Sequence, residues 1–161
     1  MAAIHLQRVP DGENRLHREL LFWADDSVSE VDSYVDAGSL YLCVNEHGLV
    51  GHVLVTPVGH NEAELKNLAV VPALRGCGLG QAMLAAVCDG LAKDGITRVF
   101  VATSAAAAGN LHFYQRCGFR LLRIERDVFT PARGYVNDFR IDGILAVDQV
   151  VMDKVLAGRS S

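Results

Sequence analysis

Apolar and polar residues alternate in several short stretches of the first half of the chain. Alternation with a period of two is the pattern of a strand that buries one face. It predicts strands over residues 4–9, 40–45, 49–57 and 64–70. Turn-forming residues, among them 46–48, separate the last three strands, so we expect these three to form a meander.

The second half of the chain mixes helical and strand patterns. In residues 79–92 the apolar positions are spaced three or four apart, which predicts a helix. A buried strand is predicted over 98–103, and a strand, a helix and a strand in this order form a crossover unit with parallel strands. The other predicted elements are helices over 13–24, from Ser27 or Ser29 to 36, and over 105–117, strands over 119–128 and 144–156, and an irregular segment over 129–143.

The element order is therefore β-α-α-β-β-β-α-β-α-β-β. It predicts an α/β (α+β) fold with a mixed central sheet of about seven strands and about four helices. The chain has 161 residues, of which half are hydrophobic and only 21% are charged, so it is long and apolar enough to bury one core. We expect a single domain over 1–161, with 158–161 as a flexible tail.

Composition and charge narrow the classes of function. No apolar run reaches the ~18 residues of a spanning helix, and the first residues lack the features of a signal peptide, so we expect no membrane partner. The four cysteines form no CxxC pair, which indicates free thiols in a reducing cytoplasm. Neither they nor the six histidines have metal-ligand spacing, so we assign no metal. The net charge of −4 without a basic cluster argues against nucleic acid and suits a cationic amine substrate.

A glycine-rich segment joins one predicted strand to the next predicted helix. Backbone amides at a helix start bind anions when no side chain blocks them, so Gly76, Gly78 and Gly80 predict a pyrophosphate site. Arg75 adds a positive charge beside them. The spacing GxGxG differs from the dinucleotide fingerprint GxGxxG, and no GK[ST] follows as in a nucleoside-triphosphate loop. A glycine-rich turn without a ligand is the alternative.

Two motifs carry a resemblance to a known family. Arg75-x-x-Gly78-x-Gly80 resembles the [QR]xxGx[GA] motif of the GNAT superfamily of acetyl-coenzyme A-dependent N-acetyltransferases. Residues 113–119, Phe-Tyr-Gln-Arg-Cys-Gly-Phe, resemble the FYxxxGF signature of the same family. The element order matches the GNAT fold over nearly the whole chain, and the likeness is strongest over residues 64–119.

The resemblance implies acetyl-CoA as the acyl-donor co-substrate. GNAT enzymes bind its pyrophosphate on the glycine-rich loop and its pantetheine arm along the preceding strand. Backbone groups of that strand also stabilise the thioester oxygen as charge develops on it. The loop residues that match these functions are Arg75, Gly76, Cys77, Gly78, Leu79 and Gly80, and the strand residues are Leu68, Ala69 and Val70.

The resemblance also implies catalytic residues. Tyr114 stands where the family has its general acid, and a phenol with a pKa of about 10 stays protonated at neutral pH and can protonate a leaving thiolate. Asn110 lies one turn earlier and is a candidate partner of the cofactor. Glu64 stands where some members have a glutamate that deprotonates the amine, directly or through water, and Glu62 is a second choice. Each of these residues also has a purely structural interpretation. Tyr114 would only pack in its helix, Asn110 would be an exposed polar residue or a helix-start residue, and Glu64 would be a surface glutamate at a strand end.

We therefore expect an N-acetyltransferase that transfers acetyl directly to a primary amine of a small molecule or peptide. An acyl-enzyme route through Cys77 or Cys117 is disfavoured because neither has a base nearby in sequence. An antibiotic acetyltransferase of the aminoglycoside type and a non-catalytic acyl-CoA-binding sensor or interaction module are the alternatives. The sequence leaves open the acceptor, the acyl length and the choice between monomer and homodimer.

Two segments should border the acceptor pocket of such a fold, residues 24–38 and 129–143. The candidate contacts in or beside them are Trp23, Asp25, Asp26, Tyr34, Phe129, Tyr135 and Asp138.

Overall fold

The computed structural model describes residues 3–156, so the predicted tail over 158–161 lies outside it. Its centre is a seven-stranded sheet with the order β1-β2-β3-β4-β5-β9-β6. The strands are β1 (His5–Arg8), β2 (Ser39–Asn45), β3 (Gly48–Gly59), β4 (Glu62–Val70), β5 (Arg98–Ser104), β6 (Arg120–Glu125), β7 (Arg140–Ile141), β8 (Ile144–Leu145) and β9 (Gln149–Val155). The helices are α1 (Arg18–Leu21), α2 (Val28–Tyr34), α3 (Leu79–Lys93) and α4 (Ala108–Arg116). The predicted fold class, with a mixed seven-stranded sheet and four α-helices in the described residues, is confirmed.

The sheet is open at one place in its middle. β2 to β4 form the predicted antiparallel meander, β1 pairs antiparallel with the outer edge of β2, and α3 crosses from β4 to the parallel strand β5. In the described residues β4 and β5 pair only over Glu62–Glu64, opposite Arg98–Phe100. Beyond Glu64 the two strands separate, so the rest of β4 has an unpaired edge that faces a gap.

The sheet has a hydrophobic cluster on each face. Side chains alternate between the faces of a strand, and β3 shows the division. Val53 and Val55 are buried in the cluster that contains the apolar residues of α3 and against which α4 packs. Leu54 is buried in the second cluster, with Leu21 of α1 and Val31 of α2.

β4 contains a β-bulge at Lys66. Leu54 of β3 lies opposite Asn67, whereas the next residue, Val55, lies opposite Leu65, so Lys66 is the extra residue. A bulge redirects the side chains beside it and is common near active sites. It places Asn67 in the buried layer between the sheet and the first two helices.

The predicted helix over 13–24 is broken in the structure. Asn14–His17 form a 3-10 turn, and only one turn of α-helix, α1, follows. The side-chain amide of buried Asn14 donates to the carbonyls of Val35 and Gly38, at 2.8 and 2.9 Å. These tertiary hydrogen bonds hold the turn against the end of α2, which a local apolar pattern does not reveal.

The second helix begins where a cap was predicted. The Ser27 hydroxyl accepts from the amide of Glu30 at 3.2 Å, which is an N-cap of α2. The same hydroxyl donates to the carbonyl of Arg133 at 2.6 Å. The cap therefore also fastens the segment after β6 to α2.

The C-terminal strands are shorter than predicted. The strand predicted over 119–128 is limited to β6, and the chain then turns at Asp127, whose φ is 59° and whose amide donates to the Asp148 side chain at 3.0 Å. The strand predicted over 144–156 is divided into β8 and β9. The segment 129–143, predicted to be irregular, contains β7, which pairs with β8.

Candidate active site

A cavity of about 730 Å³ lies where β4 and β5 separate. Its walls come from β4, the glycine-rich segment, α4 and two segments, 23–26 and 128–141. Of the twelve predicted cofactor-binding and catalytic residues, ten line it: Glu64, Leu68, Ala69, Val70, Arg75, Gly76, Gly78, Gly80, Asn110 and Tyr114. Cys77, Leu79 and the second-choice base Glu62 are not among its lining residues.

The glycine-rich segment presents free amides at the start of α3. Gly76 and Gly78 have φ angles of +81° and +77°, which a side chain disfavours, and in the described chain the amides of residues 76–78 bond to no backbone carbonyl. Gly78 is the N-cap of α3, and no side chain caps the helix. The first amides of a helix lack intrahelical partners and lie at the positive end of its dipole. This arrangement fits an anion.

Close packing explains the third glycine. A Cβ built on Gly80 would lie 3.3 Å from the Phe113 ring and 3.4 Å from a methyl of Val70. The contact with the ring is tighter than ordinary van der Waals contact, so a side chain here would force the Phe113 ring to shift by a few tenths of an ångström. Gly80 thus lets the helix start lie close to the end of the strand.

Arg75 and Arg116, two of the three arginines that line the cavity, belong to the two sequence motifs. Arg75 donates to the carbonyl of Val70 at 3.2 Å and to that of Trp23 at 3.3 Å, so it ties the loop to β4 and to the segment before α2. Arg116 of α4 is exposed and makes no ion pair within residues 3–156. Arg116 lies inside the second motif but was not among the predicted site residues.

Tyr114 packs between two aromatic rings and lines the cavity. The ring centroids of Phe113 and Phe119 lie 5.2 and 5.7 Å from its own. Its hydroxyl makes no hydrogen bond within the described chain. Burial, and to a smaller extent the Cys117 thiol, raises the pKa of Tyr114 to about 12, so the phenol is protonated at neutral pH.

Glu64 lies at the point where β4 and β5 part, because Glu64–Phe100 is the last of their pairs. Its carboxylate is 4.0 Å from the ammonium of Lys66, which is a loose contact. The amide of Asn110 donates to the Thr103 hydroxyl at 3.2 Å, and its carbonyl oxygen has no hydrogen-bond partner within residues 3–156. Both residues are thus positioned on the cavity with acceptor atoms available.

A second group of cavity residues is acidic and aromatic, and we call it the acidic end of the cavity. Asp25, Asp26 and Glu30 line it, and Arg133 neutralises Glu30 through two hydrogen bonds of 3.1 Å. The Tyr135 hydroxyl donates to Asp25 at 2.9 Å. Phe129, Tyr135 and Phe139 form a cluster with ring centroids 5.1 to 6.3 Å apart.

Of the predicted acceptor contacts, Trp23, Asp25, Asp26, Phe129 and Tyr135 line the cavity, whereas Tyr34 is buried behind Asp25 and Asp138 pairs with Arg140.

Known proteins match this chain in sequence and in fold. The model of a family described as "Acetyltransferase (GNAT) family" matches residues 5–119. This chain belongs to the GNAT acetyltransferase family. It is 30% identical over 132 residues to the "Uncharacterized N-acetyltransferase YvbK" of Bacillus subtilis, which covers 82% of this chain and 84% of that protein. Family and relative together make it an acyltransferase of the N-acetyltransferase type.

Two solved GNAT structures share its fold over almost their full lengths. An acetyltransferase of Bacillus subtilis, solved in complex with CoA, has a TM-score of 0.80 at 27% identity and covers 98% of this chain and 100% of that one. A GNAT acetyltransferase of Elizabethkingia anophelis, solved with acetyl-CoA bound, has a TM-score of 0.83 at 25% identity and covers 95% and 98%.

A buried polar network supports the cavity of this GNAT enzyme, and it was not predicted from the sequence. Asn67 donates through its amide nitrogen to the Leu21 carbonyl and to the Tyr34 hydroxyl, both at 2.9 Å. Its oxygen therefore accepts from Nε2 of His52, at 2.6 Å. The Tyr34 hydroxyl in turn donates to Asp25 at 2.9 Å. Burial lowers the pKa of His52, so this histidine is neutral.

This network links the strand that borders the gap to the acidic end of the cavity. Asn67 is 3% exposed and His52 is fully buried. The signal in the sequence is a histidine inside the largely apolar run 49–55 and an asparagine directly before the apolar residues 68–71. Buried polar side chains need partners, so such a pair in neighbouring strands predicts contact.

The cysteines of this GNAT enzyme are poorly placed for an acyl-enzyme. In the described chain no cysteine lines the cavity. Cys43 and Cys88 are buried, and burial raises the pKa of the Cys43 thiol to about 12. Burial also raises the pKa of Cys117 despite the nearby Lys154. A thiolate is the nucleophilic form, so these thiols are weak nucleophiles at neutral pH.

Residues 3–156 contain no group of three histidine, cysteine or acidic side chains arranged to hold a metal ion. Within the same residues, every helix is too short or too polar to cross a membrane.

Proposed function

We propose that the protein transfers an acetyl group from acetyl-CoA directly to a primary amine of a small molecule or peptide, acting as a single domain. The observation that carries this proposal is one cavity lined by two chemically different groups of residues. One group, the donor end, contains the free helix-start amides and Arg75, and the other, the acceptor end, contains carboxylates and aromatic rings. An anionic donor and a cationic acceptor fit these ends, and Tyr114 and Glu64 line the same space.

The residues present fit acetyl-CoA. The free amides of residues 76–78 and the uncapped start of α3 suit a pyrophosphate. The unpaired edge of β4 suits an extended pantetheine arm, because an edge strand accepts a further strand-like partner through its backbone. Acetyl-CoA supplies the activated thioester, and the loop and strand serve to hold and orient it.

The proposed chemistry uses two side chains. The amine nitrogen forms a bond to the acetyl carbonyl carbon, and the bond from that carbon to sulfur breaks. Glu64 takes the proton that the amine loses, directly or through water, and Tyr114 gives a proton to the leaving thiolate. The raised pKa of Tyr114 keeps that proton available throughout the neutral range.

The acceptor end favours a cationic amine with an apolar portion. After Glu30 is paired with Arg133 and Glu64 with Lys66, Asp25 and Asp26 remain as acidic groups that no basic side chain of the described chain neutralises. Phe129, Tyr135 and Phe139 add faces that attract both apolar groups and cations. Such an end attracts an ammonium group, which Glu64 can then deprotonate.

The test is an amine panel that follows release of free thiol from acetyl-CoA. The panel contains aralkyl monoamines, polyamines, an aminoglycoside and peptides with a free N-terminus, so it also covers the antibiotic alternative. We expect turnover with at least one cationic amine and a lower rate in Asp26→Lys. Calorimetric binding of acetyl-CoA without thiol release for any amine would indicate an acyl-CoA-binding module and would contradict the proposal.

A further inference from the structure

The outermost strand β6 exposes apolar side chains that the acetyl-transfer site does not use. Leu121, Leu122 and Ile124 are 61%, 42% and 66% exposed. β6 pairs with β9 along one edge, and no strand of the described chain pairs with the other. Residues 120–125 do not line the cavity. An exposed, apolar sheet edge is a template for pairing with another strand.

A bulge in β6 arranges these side chains by face. Leu121 lies opposite Met152 of β9, Arg123 opposite Val151 and Ile124 opposite Val150. Leu122 is therefore the extra residue. Met152 and Val150 both face the core on the α3 side of the sheet, so Leu121 and Ile124 lie on that same face. In an unbulged strand, residues three apart would lie on opposite faces.

The bulged strand is complementary to itself. The bulge, formed by Leu122 and Arg123, lies at the centre of the strand. Leu121 and Ile124 flank it and are called the inner positions, and Arg120 and Glu125 are the outer positions. The inner positions are both apolar and share one face. The outer positions carry opposite charges and share the other face. A twofold axis through the bulge would therefore bring unlike charges and like apolar groups together.

We propose that β6 pairs antiparallel with β6 of a second copy of this chain, about a twofold axis at the bulge. Leu121 then lies opposite Ile124 of the second copy, and Arg120 opposite its Glu125. Glu125 uses one carboxylate oxygen, Oε1, for both of its bonds to Arg123 of its own chain, at 3.0 and 3.1 Å. Its other oxygen is free for Arg120 of the second copy. The two central sheets become one continuous sheet.

Symmetry favours a second copy over an unrelated partner. In an interface of this symmetry each contact occurs twice, so one strand has to supply both halves of every pair. Four of the six residues of β6 meet that condition in charge, apolarity and face, and the remaining two, Leu122 and Arg123, lie at the bulge beside the axis. None of residues 120–125 lines the cavity, so each copy keeps its own complete acetyl-transfer site.

Charge exchange tests the pairing. The dissociation constant is measured by sedimentation equilibrium for the natural chain, for Arg120→Glu and for Glu125→Arg. Each variant places like charges opposite each other twice, so we expect its dimer to weaken about tenfold or more. In an equimolar mixture of the two variants each pair again joins opposite charges, so we expect a heterodimer close to the natural affinity.

Two controls separate pairing from folding. Arg8→Glu makes the same charge change on β1, the opposite outer strand, and we expect no effect on association. Thiol release per chain should be unchanged in Arg120→Glu, because Arg120 lies outside the cavity. A monomeric natural chain at ~100 μM, or a dimer that neither single variant weakens, would overturn the proposal. So would a mixture that associates no better than the single variants.

Discussion

Replacing Tyr114 with phenylalanine removes one oxygen and leaves the packing of the ring. The hydroxyl makes no hydrogen bond in the described chain, so its loss leaves no partner unsatisfied. We expect the free energy of unfolding to change by less than about 1 kcal/mol. The ring contacts with Phe113 and Phe119 remain, because phenylalanine fills the same space.

Catalysis should respond far more strongly. Loss of a general acid typically slows a reaction about 10²- to 10⁴-fold, which corresponds to roughly 3 to 5 kcal/mol in the barrier. We expect kcat to fall within this range and the dissociation constant of acetyl-CoA to stay within about twofold. Thiol release measures the rate and calorimetry the affinity.

The pH dependence gives a second readout. The pKa of Tyr114 is raised to about 12, so its proton is retained as the pH rises well above neutrality. We therefore expect no alkaline fall in kcat from this group below about pH 11. Tyr41→Phe is the matched control, since Tyr41 packs against the core outside the cavity. Full turnover in Tyr114→Phe would refute the assignment, and so would an equal loss in Tyr41→Phe.

Two further variants test the support of the cavity and its anion-binding end. Asn67→Leu leaves the buried His52 ring N–H without its partner and takes one hydrogen bond from the Leu21 carbonyl, which still accepts from the amides of Ala24 and Asp25. We expect urea unfolding to show a loss of about 1 to 3 kcal/mol, against little change in exposed Asn137→Leu; equal stability of the two variants would contradict the network. Arg75→Glu reverses the charge beside the free amides, and we expect calorimetry to show acetyl-CoA binding weakened at least about tenfold, with a smaller loss in Arg75→Gln. Unchanged affinity in Arg75→Glu would remove the proposed cofactor site.

The glycine-rich segment and the strands around it could be predicted because their signals are local. Alternation marks β4, the residues of the loop are consecutive, and the apolar spacing of α3 begins where the glycines end. The place where β4 and β5 part could not be predicted from these patterns. Strand separation depends on pairing between residues that are far apart in the chain.

The polar network and the broken first helix also depend on contacts between residues that are far apart in the chain. Asn67 bonds to residues 15, 33 and 46 positions away. Asn14 bonds to carbonyls 21 and 24 positions away, and these bonds replace the helix that the apolar spacing favours. The bulge at Lys66 has no local signal either, because it arises from the register between β3 and β4.

The most direct test of the central claim is a crystal structure of this chain with acetyl-CoA. We expect pyrophosphate oxygens within about 2.7–3.2 Å of the backbone amides between Gly76 and Gly80, and the pantetheine arm along the free edge of β4. A pyrophosphate bound elsewhere, with these amides facing only solvent, would contradict it.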